Sequence, residues 1–325
     1  MIQTPPPPHT DKDWGVLLLA HGAPERLEDI PEFLLNVRGG RKLPEPAVQE
    51  IIRRYSLIGG GSPLRRLTNL QADALAKRLA RPVYVGMRNW KPFISEAVQR
   101  ISADGLKRVV ALCLAPQNSR TSIGLYRDYL RDAIAKVAPG LEADFITNWH
   151  DHPGLIAAFR EKILAAMGQA LANLGGVPPV IFTAHSVPAR TIAEGDPYEQ
   201  QARETAARVA EAAELKSYRV AFQSQGMTPE PWIGPTVESQ IDEVAAAGHR
   251  HALLAPIGFV ADHVEILYDI DVAFRGYGQS RGVRVLRTES LNDSPLFIQA
   301  LAEIVSQRVE QPAESAAQEA ASGRP

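Results

Sequence analysis

The sequence predicts an α/β protein of two similar doubly wound, Rossmann-like domains, each built on a parallel four-stranded sheet, with a cleft between them. Short apolar, β-branched runs recur along the chain with amphipathic helical stretches between them, the pattern of parallel strands covered by helices on both faces. The runs fall into two sets of four, over 15–21, 82–87, 109–115 and 142–147, then over 179–184, 218–223, 252–258 and 282–287. A chain of 325 residues also exceeds the roughly 100 to 200 residues of one ordinary domain.

In chain order, residues 1–13 contain the proline run Pro5 to Pro8 and no apolar stretch. They are expected to be disordered, and to be neither a secretion signal nor an anchor. The first domain is expected over 14–150 and the second over 151–293, with the boundary near 150–154. A helix over 155–172, rich in small and apolar residues, fits the link between them, and Asn173-Leu174-Gly175-Gly176 stops it. A last helix over 294–310 opens on Ser294-Pro295, an N-cap followed by proline at the first helical position. The tail 311–325, without aromatics, is expected to be disordered.

Composition removes several function classes. With 45% hydrophobic and 22% charged residues the chain is an ordinary globular one. A formal charge of −2 provides no field for collecting nucleic acid or anionic lipid, so neither is expected as a partner. The single cysteine, Cys113, lies in an apolar run and reads as a buried structural thiol. One cysteine makes neither an intrachain disulfide nor an iron–sulfur cluster. No stretch reaches the ~18 apolar residues of a membrane span, and a cytoplasmic protein is expected. Ser-His-Asp, HExxH, CxxC and Walker patterns are missing, against the commonest hydrolases, proteases and NTPases.

Open parallel sheets bind ligands at the carboxyl ends of their strands, so the residues after each run are the candidates. The first run ends on His21, for which packing and ligand roles are equally open. The fifth ends on His185, flanked by Thr183, Ala184 and Ser186. A neutral imidazole there can take a proton or bind a borderline metal, although a lone histidine more often bonds a loop carbonyl. After the seventh run a helical stretch places Asp262, Glu265 and Asp269 on one face. Like charges at that spacing cost about 0.2 to 0.5 kcal/mol per pair unless a cation neutralises them. The blander account, acids favoured at a helix N-terminus, explains Asp262 better than Asp269. His263 is expected on the opposite side in a structural role. Gly59-Gly60-Gly61-Ser62-Pro63 reads as a turn, and Arg38, Arg41 and Lys42 as a basic cluster that could hold carboxylates or remain solvated. Trp90, Trp149 and Trp232 read as core or cleft wall. The residues alone thus reach a two-domain clamp with a histidine and carboxylate cleft.

Several segments, in order, resemble the ferrochelatases, which insert Fe²⁺ into a porphyrin to make haem or its coproporphyrin analogue. They are Ala184-His185-Ser186-Val187-Pro188, Gly195-Asp196-Pro197-Tyr198, Gln223-Ser224-Gln225-Gly226, Pro231-Trp232-Ile233-Gly234-Pro235, and 258–271. The resemblance implies a chelatase-like fold with His185 and Glu265 opposed across the macrocycle as catalytic residues. It implies metal contacts at His185, Glu265, Asp269 and His21. For the porphyrin it implies His21, Arg38, Arg54, Tyr55, Ser62, Asn89, Tyr126 and Trp232, with apolar walls from Ile58, Leu64, Trp232 and Ile233. Fe²⁺ enters as a substrate, and no prosthetic group is implied. Transient contact with other haem-pathway enzymes fits the same picture. Ala273 stands where relatives often carry a third acid, His21 where the coproporphyrin branch has tyrosine, and Arg88-Asn89 where that branch tends to Lys-His. Coproporphyrin III and protoporphyrin IX both stay open as substrates. A sirohydrochlorin-type chelatase using cobalt or nickel, and a porphyrin carrier without turnover, are the rival readings.

Overall fold

The computed structural model describes residues 13–226 and 230–310. The disorder expected over 1–13 and 311–325 lies outside the described residues except at Asp13. Strands β1 (Trp14–Ala20), β2 (Val83–Met87), β3 (Arg108–Cys113) and β4 (Glu142–Ile146) pair in parallel in the order β2-β1-β3-β4. Strands β5 (Val180–His185), β6 (Arg219–Gln223), β7 (His251–Pro256) and β8 (Arg284–Arg287) repeat that arrangement as β6-β5-β7-β8.

The first half carries helices α1 (Ile30–Val37), α2 (Glu45–Leu57), α3 (Leu64–Leu79), α4 (Ile94–Ala103) and α5 (Ile123–Val137). The chain passes to the second half through α6 (Pro153–Leu174), followed by α7 (Ala189–Ala193), α8 (Tyr198–Ala212) and α9 (Val237–Ala246). After β7 come a single helical turn, α10 (Val264–Leu267), a π-helical turn over Asp269–Phe274, α11 (Arg275–Ser280) and, after β8, α12 (Pro295–Glu310). Gly175 stops α6 as expected: at φ 72 it takes the left-handed conformation that a side chain resists, and its N–H caps the Leu171 carbonyl. At Ser294 the expected side-chain cap is not made. Its carbonyl accepts from Ile298 N–H at 3.0 Å, but its hydroxyl is buried without a partner.

In β1, Val16, Leu17, Leu18 and Leu19 are all 0% exposed, which requires cover on both faces of the sheet. Val16 and Leu18 enter one core, Leu17 and Leu19 another, following the two-residue period of a strand. The first of these cores is shared. It joins Val16, Leu18, Val110 and Leu112 of the first sheet to Phe182 and Leu253 of the second, by way of α6 and α12. Helix α12 returns to pack on α6 and α3. Phe297 stacks on Trp149 at 6.1 Å, and Gly154 leaves so little room that a Cβ there would lie 2.8 Å from Ala300 Cβ. The halves therefore have cores of their own and one in common.

Candidate active site

The carboxyl ends of the two sheets enclose a cleft of about 620 Å³, inside the roughly 300 to 1,000 Å³ typical of organic-ligand sites. The first half supplies His21 after β1, Phe33, Leu34 and Val37 of α1, Tyr55 of α2, Arg88 after β2 and Tyr126 of α5. The second supplies His185 at the end of β5 with Ser186 to Pro188 after it, Tyr198 at the start of α8, Trp232, and the segment from Gly258 to Glu265 except Asp262. Gly258 makes that last wall: a Cβ there would lie 2.8 Å from Ala184 Cα, so only glycine lets the segment lie against the end of β5.

This approach brings Glu265 between two imidazoles. Its Oε1 lies 3.5 Å from His185 Nε2 and its Oε2 3.5 Å from His263 Nε2. Each ring is oriented from behind, His185 by donating Nδ1–H to the Ser186 carbonyl and His263 by donating to the Ala261 carbonyl at 2.9 Å. Both Nε2 atoms are thereby aimed at the carboxylate. The side chains of His185 and Glu265 are 35% and 31% exposed, open to the cleft. Enclosure works against charge on His185, but the Glu265 carboxylate overrides it and the pKa is pushed up to about 9. His263 is raised by the same carboxylate, again against burial. Although burial favours its neutral form, Glu265 is held well below the usual carboxylate range by His185 and His263. The expectation that His263 turns away is thus overturned. It precedes α10 in extended backbone, φ −159, so helical spacing does not govern its direction.

Asp269 continues the acids, held by the Ser224 hydroxyl. Burial first, and then the Glu265 charge, push its pKa up to about 6, against the opposing Ser224 hydrogen bond and Arg54. The row is not the regular helix expected. Ala273 N–H bonds the Tyr268 carbonyl five residues back at 2.9 Å, a π turn, and Ala273 itself is exposed. Asp262 does not share the acidic face. Its carboxylate accepts from Ser290 Oγ at 2.7 Å, Asn292 Nδ2 at 3.0 Å and Arg287 at 3.3 Å, and so belongs to the loop after β8.

His21 lines the first-half wall. Its Nδ1–H donates to the Gly22 carbonyl at 2.9 Å and its Nε2 accepts from Asn89 Nδ2 at 3.0 Å. It keeps open surface towards the cavity, while desolvation by the surrounding walls, then Arg88, lower its pKa to about 4. Neutral His21 therefore has its lone pair engaged by Asn89, which has to let go before the ring ligates an ion. Among the other expected porphyrin contacts, Tyr55, Tyr126 and Trp232 line the cleft with Leu64. Arg38, Arg54, Ser62, Asn89, Ile58 and Ile233 are outside its lining. Arg38 donates to the Arg41 carbonyl on an exposed loop, Arg54 pairs with Glu50 at 2.9 Å, and Ser62 and Ile233 are buried. Arg88, treated in the sequence only as a departure, does line the cleft, its guanidinium 4.8 Å from the Tyr126 ring centroid. Its position just past β2 is the signal that marks it.

Away from the cleft, His150, Asp151 and Glu204 bring ligand atoms within 4.8 Å of one another. Arg208 already pairs with Glu204 at 2.7 Å and reaches Asp151 at 3.9 Å, supplying the positive charge an ion would bring.

Two parallel sheets whose strand ends close over an apolar cleft, with two imidazoles and a carboxylate on one wall, define a chelatase-type α/β clamp. Solved structures agree on this fold. A sirohydrochlorin chelatase from Bacillus subtilis subspecies spizizenii, in complex with cobalt, gives a TM-score of 0.60 at 10% identity, over 92% of this chain and 97% of that one. CbiX, the terminal enzyme for biosynthesis of siroheme in denitrifying bacteria, gives 0.51 at 17% identity, over 90% and 98%. The ferrochelatase family model matches residues 13–309. A ferrochelatase of Acidobacterium capsulatum is 47% identical over 305 residues, 89% of this chain and 93% of that protein. A coproporphyrin III ferrochelatase of Geobacillus thermodenitrificans is 38% identical over 306 residues, 92% and 96%. The chain belongs to the ferrochelatase family.

Proposed function

We propose that the protein inserts Fe²⁺ into a porphyrin in this cleft, a step of haem biosynthesis classed with the lyases. The observation that carries the reading is Glu265 held between the Nε2 atoms of His185 and His263 on the wall of an apolar cleft sized for an organic ring. Insertion exchanges one Fe²⁺ for two pyrrole protons, so the site needs a proton acceptor and a metal hold weak enough to let go. Carboxylate oxygens bind Fe²⁺ without the grip of thiolates, and a neutral imidazole takes a proton near neutral pH.

The pair can do both in sequence. Before Fe²⁺ arrives, His185 holds a proton because Glu265 is charged beside it. Fe²⁺ arriving at Glu265 cancels that charge. Enclosure then disfavours the imidazolium, its proton leaves to solvent through the open side of the cleft, and Nε2 is free to take the two pyrrole protons one after the other, each passed on to solvent in turn. Asp269, next in the row, is a station for the incoming ion. From the opposite wall, His21 would contact the macrocycle or its metal. Arg38, Arg54, Ser62 and Asn89 come to the porphyrin on this reading only by small movements at the rim, whereas Tyr55, Tyr126 and Trp232 already face the cavity. No resident cofactor is assigned: Fe²⁺ is consumed, and Cys113 is a lone thiol at the cleft floor. Among the described residues no helix is long and apolar enough to cross a membrane. The reading places the reaction in the cytoplasm, with the porphyrin passed on by transient contact with neighbouring enzymes.

The test is anaerobic Fe²⁺ insertion with coproporphyrin III and protoporphyrin IX side by side, in the wild type and in His185→Ala and Glu265→Gln. Insertion into one or both porphyrins, lost in the variants while porphyrin binding persists, supports the reading. Insertion of Co²⁺ into sirohydrochlorin with none of Fe²⁺ into either porphyrin would sink it. Tight porphyrin binding without turnover would leave a carrier.

A further inference from the structure

The acid-bearing segment is tied to the opposite half of the cleft by a contact that the proposed chemistry does not use. Tyr268 closes α10 and begins the π turn, three residues after Glu265 and one before Asp269. Its carbonyl accepts from both Val272 N–H at 3.0 Å and Ala273 N–H at 2.9 Å, which makes it the pivot of that turn. Its side chain is only 8% exposed. The hydroxyl accepts a hydrogen bond from Arg53 Nη2 of α2 at 2.7 Å. The guanidinium carbons of Arg54 and Arg53 lie 5.1 and 5.7 Å from the ring centroid. Glu50, one turn back, holds the two arginines at 2.9 and 2.8 Å. The next residue of α2, Tyr55, lines the cleft.

Two arginines, braced against each other by Glu50, therefore converge on one phenol from the far side of the cavity. Exposed ion pairs add roughly 0 to 1 kcal/mol to stability, so fold stability is a poor reason for the arrangement. Geometry is a better one. A π turn at a functional site is a local rearrangement that has to be held in place, and here its pivot residue is clamped from the helix that also presents Tyr55 to the ring.

Resting on the function proposed above, we infer that Arg53 and Tyr268 are positioning residues: by clamping the α10–π junction to α2 they set Glu265 and Asp269 at the height of the macrocycle. They touch neither substrate, and act on metal use through the acids.

The experiment is steady-state Fe²⁺ insertion with each substrate varied in turn, in Tyr268→Phe, Arg53→Met, the double variant and Arg53→Lys. Tyr268→Phe keeps the ring under Arg54 and removes only the acceptor. Losing one charge-assisted hydrogen bond is expected to raise KM for Fe²⁺ roughly 5- to 10-fold in each single variant, with KM for the porphyrin within about 2-fold. The double variant should be no worse than either single one, and Arg53→Lys should recover most of the loss. Unchanged KM for Fe²⁺ in both single variants, or equal rises for both substrates, overturns the positioning role. In either case wild-type turnover keeps the proposed function intact, whereas a wild type that inserts no iron removes the function itself.

Discussion

Replacing Glu265 by glutamine removes the charge that keeps a proton on His185 while preserving the shape of the side chain. The His185 midpoint, about 9 in the native protein, is then expected below the ordinary 6.5, because enclosure persists without its counterweight. A proton NMR titration of the ring reads this directly, and an unmoved midpoint would contradict the assigned pairing. The sign for stability follows. A histidine raised in the folded state stabilises it fully below pH 6.5, and that contribution fades as pH rises through 9. In Glu265→Gln the alkaline loss should disappear from the denaturant midpoints. For chemistry, His185→Ala should lower Fe²⁺ insertion by about 10²-fold or more, the scale of a lost general base. At this scale His185 is legible because it ends a strand and Glu265 because it lies in the segment after one, both at the cleft; the helical spacing that pointed to Asp269 falls on a π turn. His263 and Asp262 are not legible. The first sits in extended backbone just before the helix begins, and the second is claimed by Ser290, Asn292 and Arg287, far along the chain.

Among the elements, the strands come through well. Runs such as 109–115 and 252–258 are continuous apolar stretches because both faces of each sheet are covered, and their observed spans, Arg108–Cys113 and His251–Pro256, shift by only one or two residues. The π turn over Asp269–Phe274 leaves no such mark, since a five-residue hydrogen bond needs no particular side chain. Its neighbour Gly258 is the more testable element. Gly258→Ala forces a Cβ to 2.8 Å from Ala184 Cα and Cβ, both fixed by the backbone of β5 with little room to yield. Overpacking of this kind costs about 1 to 3 kcal/mol. Urea denaturation should record that loss, accompanied by lower Fe²⁺ insertion as the Glu265 segment is pushed off the end of β5. A variant as stable and as active as the wild type would contradict the close packing described.

Across the whole molecule, helix α12 and the shared core decide how the two halves relate. Phe297 is 0% exposed and stacks on Trp149 between them. Phe297→Ala should cost about 3 to 5 kcal/mol, measured as one cooperative transition rather than two, because Val16 and Leu18 of one sheet lie in the same cluster as Phe182 and Leu253 of the other. Separate transitions would mean the halves fold apart. Two four-stranded sheets could be read from the doubled strand pattern, but nothing local in 294–310 says that this last helix turns back onto α3 and α6; that depends on surfaces far upstream in the chain. The shared core also bears on the cavity it supports. Jaws hinged on a common block of packed side chains have little play, so the gap between His21 and His185 is a standing width. On the proposed function, a flat ring entering it would meet a mould already cast, and the strain that exposes its nitrogen lone pairs would come from fit rather than from closing of the halves.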